Sequence, residues 1–382
     1  MRLDDAIDRL SSALAAHPEC DLAAARDATQ TGRPRPHATF CLRHVVDVGA
    51  GESQFRHEAR CAAATEPDVE RLAGQIDAIA APLAQHNPVA PELELGVGPG
   101  TLAGCFGLPL LAEAGYHPAE HLSLDALLDG GCPDAATSGL MPQIRRHVEL
   151  IRAHCPDWIK INLPDLQGPF NVAHMVLGNE AFLAPLDRPG DFHEAMRLIS
   201  DLILGVQETI SGWIVPPRLS PCPWKQYRIA ECSVNMVSAA FYREHVLPHD
   251  QRIAQAWNGP LSVHTCHGPH VFHETLRGLP QIAQTEAGRI PGAVAGWTDV
   301  DEALAAIGDR PIVLEIGQEL PEGREEETIR RDLDRLLENP RLLLTYTGMH
   351  WRCADEPTIR AMHHRLDDYY EGQVRTRRPG HA

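Results

Sequence analysis

Beyond residue 85, short apolar runs alternate with stretches in which apolar residues recur every three or four positions. The runs Glu92–Val97, Trp158–Leu163, Tyr227–Cys232, Leu261–Cys266, Gln281–Glu286, Ile312–Ile316 and Leu342–Thr347 have the length and β-branched content of buried strands. Helical periodicity fills the intervals at Asp191–Ser211, Ala239–Trp257, Asp301–Ile307 and Glu325–Glu338, the last carrying Ile329, Leu333, Leu336 and Leu337 on one stripe. With Phe40–Val48 counted as a first strand, the alternation predicts a (β/α)8 TIM barrel, whose chemistry sits where strands end and βα loops begin. A doubly wound open sheet is the competing architecture, but no Gly-x-Gly-x-x-Gly follows a strand, and Gly96-Val-Gly-Pro-Gly-Thr reads as a tight turn.

Residues 1–88 read as a mainly helical N-terminal extension packed on a barrel of residues 89–372, with 373–382 as a flexible tail. Within the extension, Met1–Leu10 is a charged amphipathic pattern, and Ala-rich stretches at Ser11–Ala25 and Pro67–Gln85 bracket the β-branched piece at residue 40.

Composition narrows the function. Of 382 residues, 43% are apolar and 23% charged, which is ordinary for a globular protein. The net charge is −18, and Lys160 and Lys225 are the only lysines, so a surface that tracks phosphates is excluded. The 21 histidines supply many imidazoles that stay neutral above about pH 6. No apolar run has the ~18 residues of a membrane span, and the N-terminus has no signal-like apolar core. Ten scattered cysteines suit reduced thiols, and a cytoplasmic location is expected.

The most informative segment is Leu261-Ser-Val-His-Thr-Cys-His-Gly-Pro-His. In a strand, His264 and Cys266 share one face, and an imidazole with a thiolate at a strand end makes a suitable pair of zinc ligands. The competing reading is a hydrogen-bonded histidine beside a buried cysteine. Glu286 ends the next predicted strand and Cys353 follows the last one, so both are candidate further ligands. His350 is an alternative ligand, or an acid and base, in the same loop as Cys353. Asp165 and Gln167 follow a strand directly: Asp165 is a candidate base or substrate-orienting group, with a turn residue or helix cap as the equal alternative. Glu231 closes the strand that Tyr227 opens, and either binds substrate or caps the following helix. Asp165, Glu231 and His350 are the candidate catalytic residues, and Gln167, Tyr227 and His267 the candidate substrate contacts.

Gly168-Pro-Phe-Asn-Val-Ala-His-Met-Val-Leu-Gly-Asn-Glu, Ser238-Ala-Ala-Phe-Tyr-Arg-Glu-His-Val-Leu-Pro and His264-Thr-Cys-His-Gly resemble the uroporphyrinogen decarboxylase superfamily. Gly98-Pro-Gly-Thr-Leu-Ala-Gly-Cys-Phe-Gly and the terminal Pro357-Thr-Ile-Arg-Ala-Met extend the resemblance over roughly residues 90–372. It implies the same barrel. The arginine-bearing N-terminal segment of the true decarboxylases has no match, since Thr31-Gly-Arg-Pro-Arg-Pro-His sets its arginines among prolines.

His264-Thr-Cys266 followed by Cys353 is similar to the branch of zinc-dependent corrinoid methyltransferases. An ungapped match at Pro357–Met362 puts Gly348 at the second family cysteine, so matching Cys353 takes a deletion of about five residues. The resemblance implies Zn2+ and methyl transfer between a corrinoid (cobalamin) on a partner protein and a small thiol or pterin. It also implies a homodimer. Zinc would deprotonate a thiol that is otherwise a poor nucleophile at neutral pH. A metal-independent decarboxylase or lyase acting on an acidic small molecule is the alternative, and a noncatalytic binding protein on the same barrel ranks third.

Overall fold

The computed structural model describes residues 2–16, 37–44, 69–84, 91–95, 99–111, 117–214, 218–219, 227–264, 269–289, 300–308, 312–319, 324–338 and 344–351. Near the C-terminus it describes 361–373 apart from 363, 367, 370 and 371. It is a mixed α/β fold with more helix than strand among these residues.

The strands that matter here are β1 (His37–His44), β2 (Glu92–Glu94), β3 (Lys160–Asn162), β4 (Arg228–Ala230), β5 (Leu261–His264), β6 (Ile282–Arg289), β7 (Val313–Glu319) and β8 (Leu344–Trp351). Each lies within or overlaps a run that alternation predicts. Every ladder between them is parallel, and they form two arcs: β4, β5, β6, β7, β8, β1 in spatial order, and the pair β2, β3.

Sequence alternation predicts a closed ring of eight. Among the described residues no ladder joins β1 to β2 or β3 to β4, so a complete barrel is not shown. Two single hydrogen-bonded contacts fill part of the second gap. Ile161 bridges to Leu219, and the Gly168 amide donates to the Ala230 carbonyl at 2.7 Å. The first strand pairing with the last means that β1, from the stretch read as an extension, belongs to the main sheet.

Helix α1 (Leu3–Ala16) buries Leu3, Ala6 and Leu10, one stripe at helical spacing, and packs on α2 (Val69–Ala84), with Arg9 and Asp77 paired at 2.8 Å. Helix α3 (Pro169–Leu177) follows β3, and α4 (Pro189–Ile214) runs across it, burying Phe192, Met196, Ile199, Ile203, Val206 and Ile210.

The periodicity over Ala239–Trp257 predicts one helix, but the segment is broken. A short turn at Ala239–Phe241 passes into a π-helical turn at Tyr242–Val246 and then into α5 (Leu247–Trp257). Pro248 explains the break: it has no N–H for the α-helical bond, and its ring crowds the carbonyl four residues back, so the preceding turn widens. Helix α6 (Glu325–Glu338) carries the C-terminal segment on its flank, where Arg365 reaches Glu326 at 2.9 Å and Tyr369 donates to Asp334 at 2.7 Å.

Cys105, Cys132, Cys155 and Cys232 are free thiols. Burial pushes the Cys105 thiol up to about 12 and the Cys155 thiol up to about 11, so both pack as small apolar groups. No described helix is long and apolar enough to cross a membrane.

Candidate functional site

The loop after β3 and the end of β4 meet in a buried polar cluster. Helix α3 begins at Gly168, which has no side chain to cap it, and Pro169 in the first turn has no amide to satisfy. The next two amides need acceptors. Both come from Glu231, the residue after β4: Phe170 N–H donates to Oε1 at 2.8 Å and Asn171 N–H to Oε2 at 2.7 Å. Glu231 therefore caps α3, not the helix that follows it in sequence. Glycine is required at 168, since a Cβ there would overlap the Glu231 carboxyl group. The Glu231 amide in turn donates to the His264 carbonyl at 2.7 Å, tying the end of β4 to the end of β5.

Glu231 is 1% exposed and lies against a second buried acid, Asp250 on α5, also 1% exposed. Burial, and then the nearness of Asp250, push the Glu231 carboxyl well above the usual carboxylate range, while the two backbone amides pull it back. Burial raises Asp250 to about 7, against the opposing pull of the Tyr242 hydroxyl. Two carboxyl groups buried side by side in an apolar interior resist ionising together, so the pair titrates as a unit. Tyr242 donates to Asp250 Oδ2 at 2.9 Å from a fully buried ring. Replacing Tyr242 with Phe is expected to cost about 1–3 kcal/mol, because Asp250 loses its donor without gaining water. Urea denaturation near pH 6 measures this, and an unchanged midpoint would show the bond to be dispensable.

A second chain of hydrogen bonds starts from the same helix turn. Asn171 Nδ2 donates to Gln167 Oε1, and Asn171 Oδ1 accepts from the Ser233 amide at 3.1 Å and the Ser233 hydroxyl at 2.5 Å. With its hydroxyl proton committed to Asn171, Ser233 Oγ accepts from His174 Nδ1 at 2.8 Å. This assignment puts the His174 proton on Nδ1 and leaves Nε2 as a lone-pair donor. Burial, with His121 and His117 nearby, lowers His174 from the ordinary imidazole range. Gln167 is held at φ 65°, a backbone region that side-chain-bearing residues rarely adopt and that concentrates at functional sites.

The candidate residues read from sequence divide into groups. Asp165 forms the turn, accepting from the Gln167 amide at 3.0 Å, while its other oxygen lies 3.2 Å from the Arg228 guanidinium. Asp165, Gln167 and Glu231 thus come together where β3 and β4 end. Tyr227 does not join them: it opens β4 and packs on Trp257, with ring centroids 5.2 Å apart, at the other end of the strand.

His264 ends β5 opposite Ala230. One step beyond the Val263–Thr285 pair, the register brings Glu286 level with His264, and Glu286 is followed across the sheet by Glu315 and Tyr346. His350 lies in β8, opposite Glu319 and Arg43. Cys266, His267 and Cys353 lie outside the described residues.

Sequence reasoning missed Asn171, His174, Ser233, Tyr242 and Asp250. Asp250 carried a signal, as an acid on the buried stripe of an amphipathic helix beside Ile253 and Ala254. Asn171 and His174 stand in the Gly168–Glu180 motif without any spacing that marks their partners.

This architecture has a counterpart among solved structures. The chain shares its fold with a methyltransferase from Methanosarcina mazei. The two are 14% identical, the match covers 90% of this chain and 97% of that one, and the TM-score is 0.59. At that identity the likeness is one of fold. No protein-family model matches the chain, and no curated protein matches it in sequence.

Proposed function

We propose that this chain is a zinc-dependent methyltransferase, built on a closed (β/α)8 barrel of the uroporphyrinogen decarboxylase type. It would move a methyl group between a corrinoid held by a partner protein and a small thiol or pterin. The observation that carries the reading is the position of His264 at the end of a parallel strand, in a chain with the fold of a methyltransferase, with Cys266 two residues on and Glu286 level with it. An imidazole, a thiolate and a carboxylate are the donor types of catalytic zinc sites. The register makes the third ligand the open choice. Gly348 contributes no donor two residues past Tyr346, so β8 offers His350 within the strand or Cys353 beyond its end at Trp351.

Bound zinc would supply a Lewis acid that lowers the pKa of a thiol acceptor. The chain's own residues do the rest. The Glu231 amide fixes the His264 carbonyl and so the strand end that presents the ligands. Asp165 and Arg228, side by side and partly exposed, orient a charged acceptor. His174, with Nε2 unprotonated, accepts a proton released near the end of β4.

The test is cobalt substitution together with a methyl-transfer assay. The Co2+-loaded full chain is expected to show the intense absorption of thiolate-to-metal charge transfer and to transfer methyl from methylcobalamin to a thiol. Cys266→Ala is expected to lose both while keeping its circular dichroism. Wild-type protein that shows no thiolate-ligated metal and no transfer would end this reading. Comparison of His350→Ala with Cys353→Ala assigns the third ligand.

A further inference from the structure

Away from the strand ends, three imidazoles meet between α4 and the broken helix. His193 comes from the first turns of α4, His245 from the π-helical turn and His249 from α5. His193 Nδ1 and His249 Nε2 are 3.0 Å apart, their rings stack with centroids 5.3 Å apart, and the His245 ring is 5.6 Å from that of His193. His245 and His249 are 7% and 8% exposed, whereas His193 is open to solvent on one side. Phe241 and Phe192 wall the His245 ring at 5.0 and 6.5 Å.

One proton satisfies the His193–His249 pair by an N–H···N bond. It leaves His245 Nδ1 buried with no partner, an arrangement that costs about 1–3 kcal/mol. A metal ion would resolve it. At nitrogen–metal distances of about 2.0–2.1 Å, two ligands at 90–110° stand roughly 2.8–3.4 Å apart, and the 3.0 Å separation of the His193 and His249 nitrogens lies within that range. His245 stands four residues before His249 across the wide turn, and its ring lies 5.6 Å from that of His193, which makes it the candidate third ligand. Among the described residues no three such side chains already surround one point, so a bound ion would have to draw the His245 ring towards the other two. Burial, and then the neighbouring imidazole, lower His193 and His249, the latter to about 4, and neutral rings are the form that ligates. The other charged groups nearby are Glu244, 4.0 Å from His245, and Arg252, which is paired with Asp201.

We propose that His193, His245 and His249 form a binding site for a borderline divalent metal ion, Zn2+ or Cu2+, separate from His264 and Cys266, that pins α4 to α5. Imidazole-only coordination suits these ions. The site does not depend on the methyltransferase reading.

The experiment uses the full chain carrying Cys266→Ala, which removes the thiolate site. Calorimetric titration with Zn2+ is expected to show one saturable ion per chain and a melting temperature raised by several degrees. The Cu2+ form is expected to show nitrogen hyperfine structure by electron paramagnetic resonance. Adding His193→Gln and His249→Gln is expected to weaken Zn2+ at least tenfold and to abolish the thermal shift. His245→Gln alone, which leaves the His193–His249 bond in place, is expected to weaken binding in a chain that still folds, so the site stays testable where the double variant folds poorly. Absence of saturable binding in the Cys266→Ala chain, or binding that survives the histidine changes, would overturn the proposal.

Discussion

Replacing Glu231 with Ala is expected to destabilise the protein by about 3–5 kcal/mol. The change strips two buried amides, Phe170 and Asn171, of their acceptor and opens a cavity against Gly168. It also leaves Asp250 buried without its partner acid. Water cannot replace the carboxylate easily, because Phe170, Asp250 and Tyr242 around it are all buried. Glu231→Gln should fall between, since one amide oxygen still accepts while the NH2 group confronts a backbone N–H. Chemical denaturation of the three proteins measures this. A Glu231→Ala loss below about 1 kcal/mol would mean that α3 finds another cap. If Gly168→Ala gives a similar loss with Glu231 intact, the carboxylate has been displaced sterically, which separates the cap from the charge.

Asp250→Asn is expected to change how stability depends on pH more than its value at any one pH. A folded-state pKa raised from 3.8 to about 7 contributes stability that is complete below pH 3.8 and is lost as pH rises through 7. His249 works the other way. Its imidazole, lowered from 6.5 to about 4, favours the folded state above pH 6.5 and disfavours it as pH falls towards 4. The two slopes oppose each other across the same window. Asn keeps the acceptor for Tyr242 and the shape of the side chain but does not titrate. The stability of Asp250→Asn relative to wild type should therefore rise between pH 4 and 7, by an amount on the order of 3 kcal/mol, and level off above. Urea midpoints at pH 5 and pH 8.5 decide it, and a difference that does not change between them would show that Asp250 does not carry the raised pKa.

The elements were legible because they rest on local patterns. Leu261–His264 and the other parallel strands are short apolar runs that can hardly be anything but buried strand, and α4 and α6 show stripes that survive their charged residues. Even the break at Pro248 follows from chemistry visible in the chain, although periodicity alone ran through it. The site was legible only in part. Asp165, Gln167 and Glu231 stand out in the sequence because they follow predicted strands, and the structure brings them together. Tyr227 is close to Glu231 in sequence, yet a strand carries its first and last residues to opposite ends of the sheet.

What no local pattern contains is pairing across the fold. Glu231 as the cap of a helix 61 residues earlier, its burial beside Asp250, and the contact of His193 with His249 across 56 residues all depend on which elements become neighbours. Periodicity determines where a helix or strand forms and which side it buries, since those depend on residues within a turn or two. The partner of a buried acid is set by long-range packing, where one backbone amide or carboxylate serves as well as another until the chain brings a particular one within 3 Å.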